Sequence, residues 1–174
     1  MQAKQESKRY PLSRIVMAPL IVIIVLVLLP LIALLIATHF FYGIVLQLVI
    51  WVCWCCRGVN VLLVYSESPN WHDYIETHII PRLPSSTVLL NWSQRRKWKS
   101  RSLPVMVFGF FGWEHEFNPM VVVFRPFHRT KTYRFWKPFK DYKHGKTATL
   151  EKMERELFQH LSRIGIGPTE QVSG

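Results

Sequence analysis

The sequence predicts a small α/β domain behind a membrane segment. Three observations carry this. Ile15 to Cys56 is 42 consecutive positions without a charged residue. Arg57 to Gly174 then changes character, with acidic residues and short apolar runs separated by polar ones. Within it, runs rich in β-branched residues alternate with segments of helical spacing, the pattern of an α/β fold.

The apolar run comes first. A transmembrane helix needs about 20 apolar residues, so 42 positions hold two spans, or one with a long extension. Ile15 to Ala37 is the first candidate. It is too long for the core of a signal peptide, and no small-residue cleavage site follows. Thr38, His39, Tyr42 and Gly43 interrupt the run and offer a place for a reversal. Residues 40–56 form the second candidate. Lys4, Lys8, Arg9 and Arg14 precede the run, and 18 of the 22 basic residues follow it. Basic flanks stay on the cytoplasmic side, and a helical hairpin keeps both there. The expectation is therefore a basic cytoplasmic N-terminus (1–14), a membrane segment (15–57) with spans at 15–37 and 40–56, a cytoplasmic α/β domain (58–164) and a flexible tail (165–174). A single span is the alternative. Pro30 reads as a kink in the first span.

Trp51 and Trp54 mark the end of the apolar run, where indole rings favour the membrane interface. Cys53, Cys55 and Cys56 share that level. Cysteines beside a span are candidates for S-acylation, or serve as small apolar residues. Their spacing does not suit zinc.

In the soluble part, Val59–Tyr65 (VNVLLVY) reads as a strand covered on both faces. Ser68 and Pro69 can start a helix, with Trp71, Tyr74, Ile75, Ile79 and Leu83 at helical spacing. Thr87–Trp92 is a second strand. Ser102–Gly112 reads as a short helix, with a strand as the alternative, and 113–118 as a loop. Met120–Phe124 (MVVVF) is a third, buried strand. Thr132–Trp136 alternates and suits a partner antiparallel to it. Residues 138–145 read as a loop. Thr147–Ile164 is an amphipathic helix with Leu150, Met153, Leu157, Phe158 and Leu161 as its stripe.

The order β-α-β-α-β-β-α resembles the thioredoxin fold, including a proline, Pro119, just before the third strand. The resemblance is one of element order. The loop after the first strand reads Ser66-Glu67-Ser68-Pro69-Asn70-Trp71. It has no cysteine, so dithiol chemistry does not occur there. If 103–111 were a strand, a Rossmann-like or TIR-like domain would fit as well.

Ligands of α/β sheets bind outside the carboxyl ends of the strands. That rule points to Ser66, Glu67, Ser68, Asn70 and His72, with Asn91, Ser93 and Arg95 from the end of the second strand. Glu67, His72 and Arg95 are the candidate catalytic residues of an enzyme acting on an anionic or lipid-linked substrate. Capping and turn chemistry explain the same residues without a ligand. No glycine-rich dinucleotide motif and no P-loop is present, so no cofactor is expected. Nor is a metal: His72 and His78 fall on different helix faces, and His115 between Glu114 and Glu116 offers only neighbours in one loop. The Ser, His and Asp present do not form a nucleophile elbow.

Basic, aromatic stretches are the strongest signal. Arg95, Arg96, Lys97, Trp98, Lys99 and Arg101 form one; Arg129, Lys131 and Arg134 lie in the other, 125–146. Such mixtures bind nucleic acid or anionic lipid. A domain joined to the bilayer by a two-residue junction meets headgroups first, so lipid is the favoured partner and nucleic acid the disfavoured one. Only His39 is ionisable within the apolar run, which argues against an ion path. The sequence thus suggests a non-enzymatic interaction or scaffold module at the cytoplasmic membrane surface, with a protein partner of unknown identity.

Overall fold

The computed structural model describes residues 12–112 and 118–167. The chain divides into two compact units between Val45 and Leu46.

One helix, α1 (Leu12–Cys53, 42 residues), takes up all but the last three residues of the apolar run. At 1.5 Å per residue it is about 63 Å long. The reversal expected at Thr38–Gly43 is not made. Thr38 Oγ1 donates to the Leu35 carbonyl at 2.9 Å, so its hydroxyl is satisfied inside the helix. Gly43 costs a helix only about 1 kcal/mol. Pro19 and Pro30 are also taken up within it. By length and composition α1 can cross a membrane. From Val22 to Ile36 its large apolar side chains are exposed.

The last turns of α1 belong to the second unit. Leu46, Ile50 and Trp54, four residues apart, are buried at 2%, 0% and 8% exposure. Half of the expected second span (40–56) is therefore a domain helix. The chain leaves it through a 3-10 turn, Cys55–Arg57, and Gly58 at φ 76°. That left-handed conformation favours glycine. The Gly58 N–H donates to Cys55 O and the Val59 N–H to Trp54 O, which ties the exit tightly.

A four-stranded sheet follows: β1 (Val61–Tyr65), β2 (Val88–Asn91), β3 (Met120–Val123) and β4 (Lys131–Arg134). The spatial order is β2-β1-β3-β4. β1 pairs parallel with β2 and antiparallel with β3, and β3 pairs antiparallel with β4. The two unbroken apolar runs occupy the centre, and every residue of β1 and β3 is buried. The edges are mixed: Leu89 of β2 is exposed, and β4 buries only Tyr133.

Because side chains alternate across a strand, the sheet buries two faces. Leu62, Val64, Met120 and Val122 pack with Leu46 and Ile50 of α1, with Trp54 just past its end, and with Val107 and Phe108 of α3 (Leu103–Phe111). Leu63, Val121 and Tyr133 pack under Ile75 and Ile79, under Phe139 of α4 (Trp136–Lys143), and under Leu150, Leu157 and Leu161 of α5 (Ala148–Arg163).

Two details depart from expectation. The helix after Ser68 is irregular: α2 (His72–Tyr74), a π turn (Ile75–Ile79) and a 3-10 turn (Ile80–Arg82) follow one another. Pro81 supplies no N–H and crowds the carbonyl four residues back, which breaks the regular ladder. Residues 138–145, expected as a loop, are largely α4. Pro138 falls in its first turn, where a missing donor costs little, and Phe135 and Phe139 are both buried, one turn apart. The Asn118–Pro119 peptide is cis.

Candidate functional site

The carboxyl ends of β1 and β2 meet because the strands are parallel and in register, Tyr65 opposite Asn91. The loops that follow are therefore neighbours. Glu67 is the meeting point. Its N–H donates to Ser93 Oγ at 3.0 Å. Its Oε1 accepts from Asn91 Nδ2 at 2.8 Å and from Gln94 Nε2 at 3.3 Å. Asn91 Oδ1 in turn accepts the Ser93 N–H at 2.9 Å and caps a 3-10 helix, Trp92–Lys97. The expected grouping of Glu67, Asn91 and Ser93 is thus present.

Ser66 lies beneath it, 7% exposed. Its Oγ accepts from Trp71 Nε1 at 3.2 Å and from Asn118 Nδ2 at 2.9 Å. Two N–H donors aimed at a hydroxyl oxygen hold it in place; activation of a serine requires a base that takes its proton. Ser68 begins the next turn, its carbonyl accepting from Trp71 and His72.

The three candidate catalytic residues have separate neighbours. Glu67 is held by Asn91 and Gln94. His72 stacks on Tyr65, centroids 6.2 Å apart, with Nε2 3.7 Å from Glu76. Arg95 lies over the Trp92 ring at 5.2 Å. Burial, helped by the carboxylates of Glu76 and Glu67, pushes the Tyr65 phenol up from its ordinary value. It stays protonated throughout the physiological range.

Sequence reasoning missed a cleft beside this loop. It measures about 340 Å³ and is lined by Asn70, Trp71, Trp136, Phe139, Lys140 and Lys143, among others. Lys140 Nζ sits 5.2 Å over the Trp136 ring. The interleaved rings and lysines of 136–143 were visible, but reading that stretch as a loop hid their common face.

The basic residues do not form one patch. Arg95, Arg96, Lys97, Lys99 and Arg101 are exposed and follow β2, at the end of β1 marked by Tyr65. Arg129 and Lys131 are exposed at the other end, since Lys131 pairs with Val123 and Val123 with Val61. Trp98 is half-buried, donating from Nε1 to the Asn91 carbonyl at 3.1 Å and packing edge-on against Trp92 and Phe108. Arg134 reaches the Phe111 carbonyl with Nη2 at 3.1 Å. These two hold the fold together, whatever else they meet.

Cys53 and Cys55 are half-buried and Cys56 is exposed; all three are free thiols. Among the described residues, no three His, Cys, Asp or Glu side chains gather as a metal site would require. The loop with Glu114, His115 and Glu116 lies outside the described residues, as do residues 1–11 and 168–174.

Comparisons with family models, with curated proteins and with solved structures found no match to this chain.

Proposed function

We propose that this protein is a membrane-anchored, non-enzymatic interaction module whose α/β domain is held against the bilayer surface and contacts anionic lipid. One observation carries the reading: the helix that can cross a membrane is also a core helix of the domain. Val22 to Ile36 exposes its apolar side chains, while Leu46, Ile50 and Trp54 are buried under the sheet. A domain built around the end of its own anchor has no linker along which to leave the membrane.

A thioredoxin-like topology is part of the proposal. The strand order β2-β1-β3-β4 supports it, as does Pro119 directly before β3. The loop Ser66–Trp71 replaces any dithiol with hydrogen-bonding groups, which favours binding over redox work. The separate neighbours of Glu67, His72 and Arg95 favour the same conclusion over an enzyme.

The domain is proposed to face the cytoplasm. Its 18 basic residues against 10 acidic ones suit an anionic leaflet, and three free thiols suit a reducing compartment. A second reading places it on the opposite side. With α1 unbroken, the two flanks fall on opposite sides, and Lys4, Lys8, Arg9 and Arg14 near the span favour a cytoplasmic N-terminus.

Cysteine labelling of sealed membranes tests both. With Cys53, Cys55 and Cys56 replaced, one cysteine is placed at Ser7 and another at Thr169. Labelling from opposite sides, with Thr169 reached from the cytoplasm, is the expected result. Opposite sides with Ser7 reached from the cytoplasm selects the second reading. Labelling of both from the cytoplasm restores the hairpin, and release of the protein by alkaline carbonate removes the anchor altogether.

A further inference from the structure

The loop between β3 and β4 carries a largely exposed aromatic side chain. Phe127 is 86% exposed and has φ 59°, a conformation that costs a non-glycine residue energy and persists where its surroundings hold it. The surroundings do hold it. The His128 N–H donates to the Arg125 carbonyl, closing the turn, and His128 Nδ1 lies 2.8 Å from the Pro126 carbonyl oxygen. Thr130 Oγ1 donates to Gln47 Oε1 at 2.7 Å.

The loop also climbs α1 in order. Trp54 meets Phe124, centroids 5.6 Å apart, and Trp51 meets Phe127 at 5.2 Å. Gln47 then holds Thr130. Its anchor points thus run back along the helix towards Val45, where the domain stops. Arg125, Arg129 and Lys131, all exposed, flank the ring in the chain, and Lys131 Nζ lies 4.9 Å over the Tyr133 ring. Among the described residues, Gln47 Nε2 and Trp51 Nε1, one turn apart, are buried N–H groups that meet no acceptor.

Length decides what lies beyond. Ile15 to Val45 spans 31 residues, about 46 Å of helix. A bilayer with its headgroups measures about 40–45 Å. The hydrocarbon core alone is about 30 Å thick, so the run is long enough to cross it with helix to spare. Phe40, Phe41 and Tyr42, all exposed, fall where interfacial aromatic residues concentrate.

We propose that the Arg125–Lys131 loop is a second membrane contact: Phe127 enters the headgroup layer, and the exposed cations of the same loop, Arg125, Arg129 and Lys131, bind lipid phosphates. This rests on α1 being the anchor. The contact is assigned to this end of the sheet, and the Arg95–Arg101 cluster at the other end is left facing water.

The test uses the full chain in phosphatidylcholine–phosphatidylserine vesicles. Cys53, Cys55 and Cys56 are replaced, and a fluorescent probe is placed at position 127, 97 or 27 in turn. The expected result at Phe127→Cys is a blue shift and loss of emission with lipids spin-labelled near the headgroup. At Lys97→Cys, aqueous iodide alone quenches. A probe at 127 as open to iodide as one at 97, and untouched by lipid quenchers, overturns the proposal. The Val27→Cys probe separates the two failures. If deep acyl-chain quenchers reach it and shallow ones miss 127, only the loop contact falls. If they miss it too, the anchor falls and the loop contact with it.

Discussion

Val22–Val45 and Leu46–Cys53, with Trp54 just beyond, are successive parts of one helix and share a composition of Ile, Val, Leu and aromatic residues. The first exposes its large apolar side chains; the second buries every fourth one beneath a sheet. Composition therefore reports that a side chain avoids water, and the spacing of its neighbours reports where it goes. An all-round apolar surface suits lipid. A single stripe at 46, 50 and 54 suits one packed face.

That contrast breaks most visibly by substitution. Ile50 is fully buried, so Ile50→Ala should lower domain stability by about 2–5 kcal/mol, the range for emptying such a site. Leu35→Ala should leave it unchanged. Denaturation followed by near-ultraviolet circular dichroism in detergent reads both; equal effects would erase the distinction between the two parts. The reciprocal change is Leu35→Arg. It should raise the cost of membrane insertion by about 2.5–3.5 kcal/mol while leaving the domain folded, measured as the fraction of chain resistant to carbonate extraction.

A smaller effect lies inside the domain. Glu154, 9% exposed, accepts from Arg82 at 2.7 Å and from the Tyr74 hydroxyl at 2.9 Å. It joins α5 to the irregular helix under the same sheet face. Burial and the Glu154 hydrogen bond raise the Tyr74 phenol well above its ordinary range. Glu154→Leu leaves the hydroxyl without its acceptor and should cost about 1–3 kcal/mol in chemical denaturation, with the Val22–Val45 part indifferent.

The smallest is a pH effect. His160 is pushed below its ordinary pKa by burial, then by the charges of Lys131, Arg163 and Arg125. Its Nδ1 lies 2.9 Å from the Tyr133 hydroxyl. The unfolded chain then binds the proton more readily than the folded one. The stability His160 confers is present above about pH 6.5 and lost as the pH falls below it. His160→Gln should flatten that decline in thermal melts between pH 7 and 5.

Much of the core was legible. VNVLLVY and MVVVF announced central strands because a strand buried on both faces needs no alternation. The α5 stripe announced its helix. The grouping of Glu67 with Asn91 and Ser93 followed from the strand-end rule. The end of α1 was not legible by composition, because a sheet face and lipid select the same residues; only the 46–50–54 spacing differed. Residues 136–143 hid a helix because Pro138 is a breaker in an interior but harmless in a first turn. The separation of Arg95 from Lys131 depends on strand order, which no local pattern encodes.

A cysteine scan along α1, in the chain without its native cysteines and in sealed membranes, tests the central claim most directly. Aqueous maleimide should fail at every position from 22 to 37, show no accessible break at 38–43 flanked by a second protected stretch, and then alternate from 46 to 54. There the reagent should miss 46, 50 and 54 and reach 52. Uniform protection from 44 to 56 behind an accessible stretch at 38–43 would describe two spans and contradict a helix that is half anchor and half core.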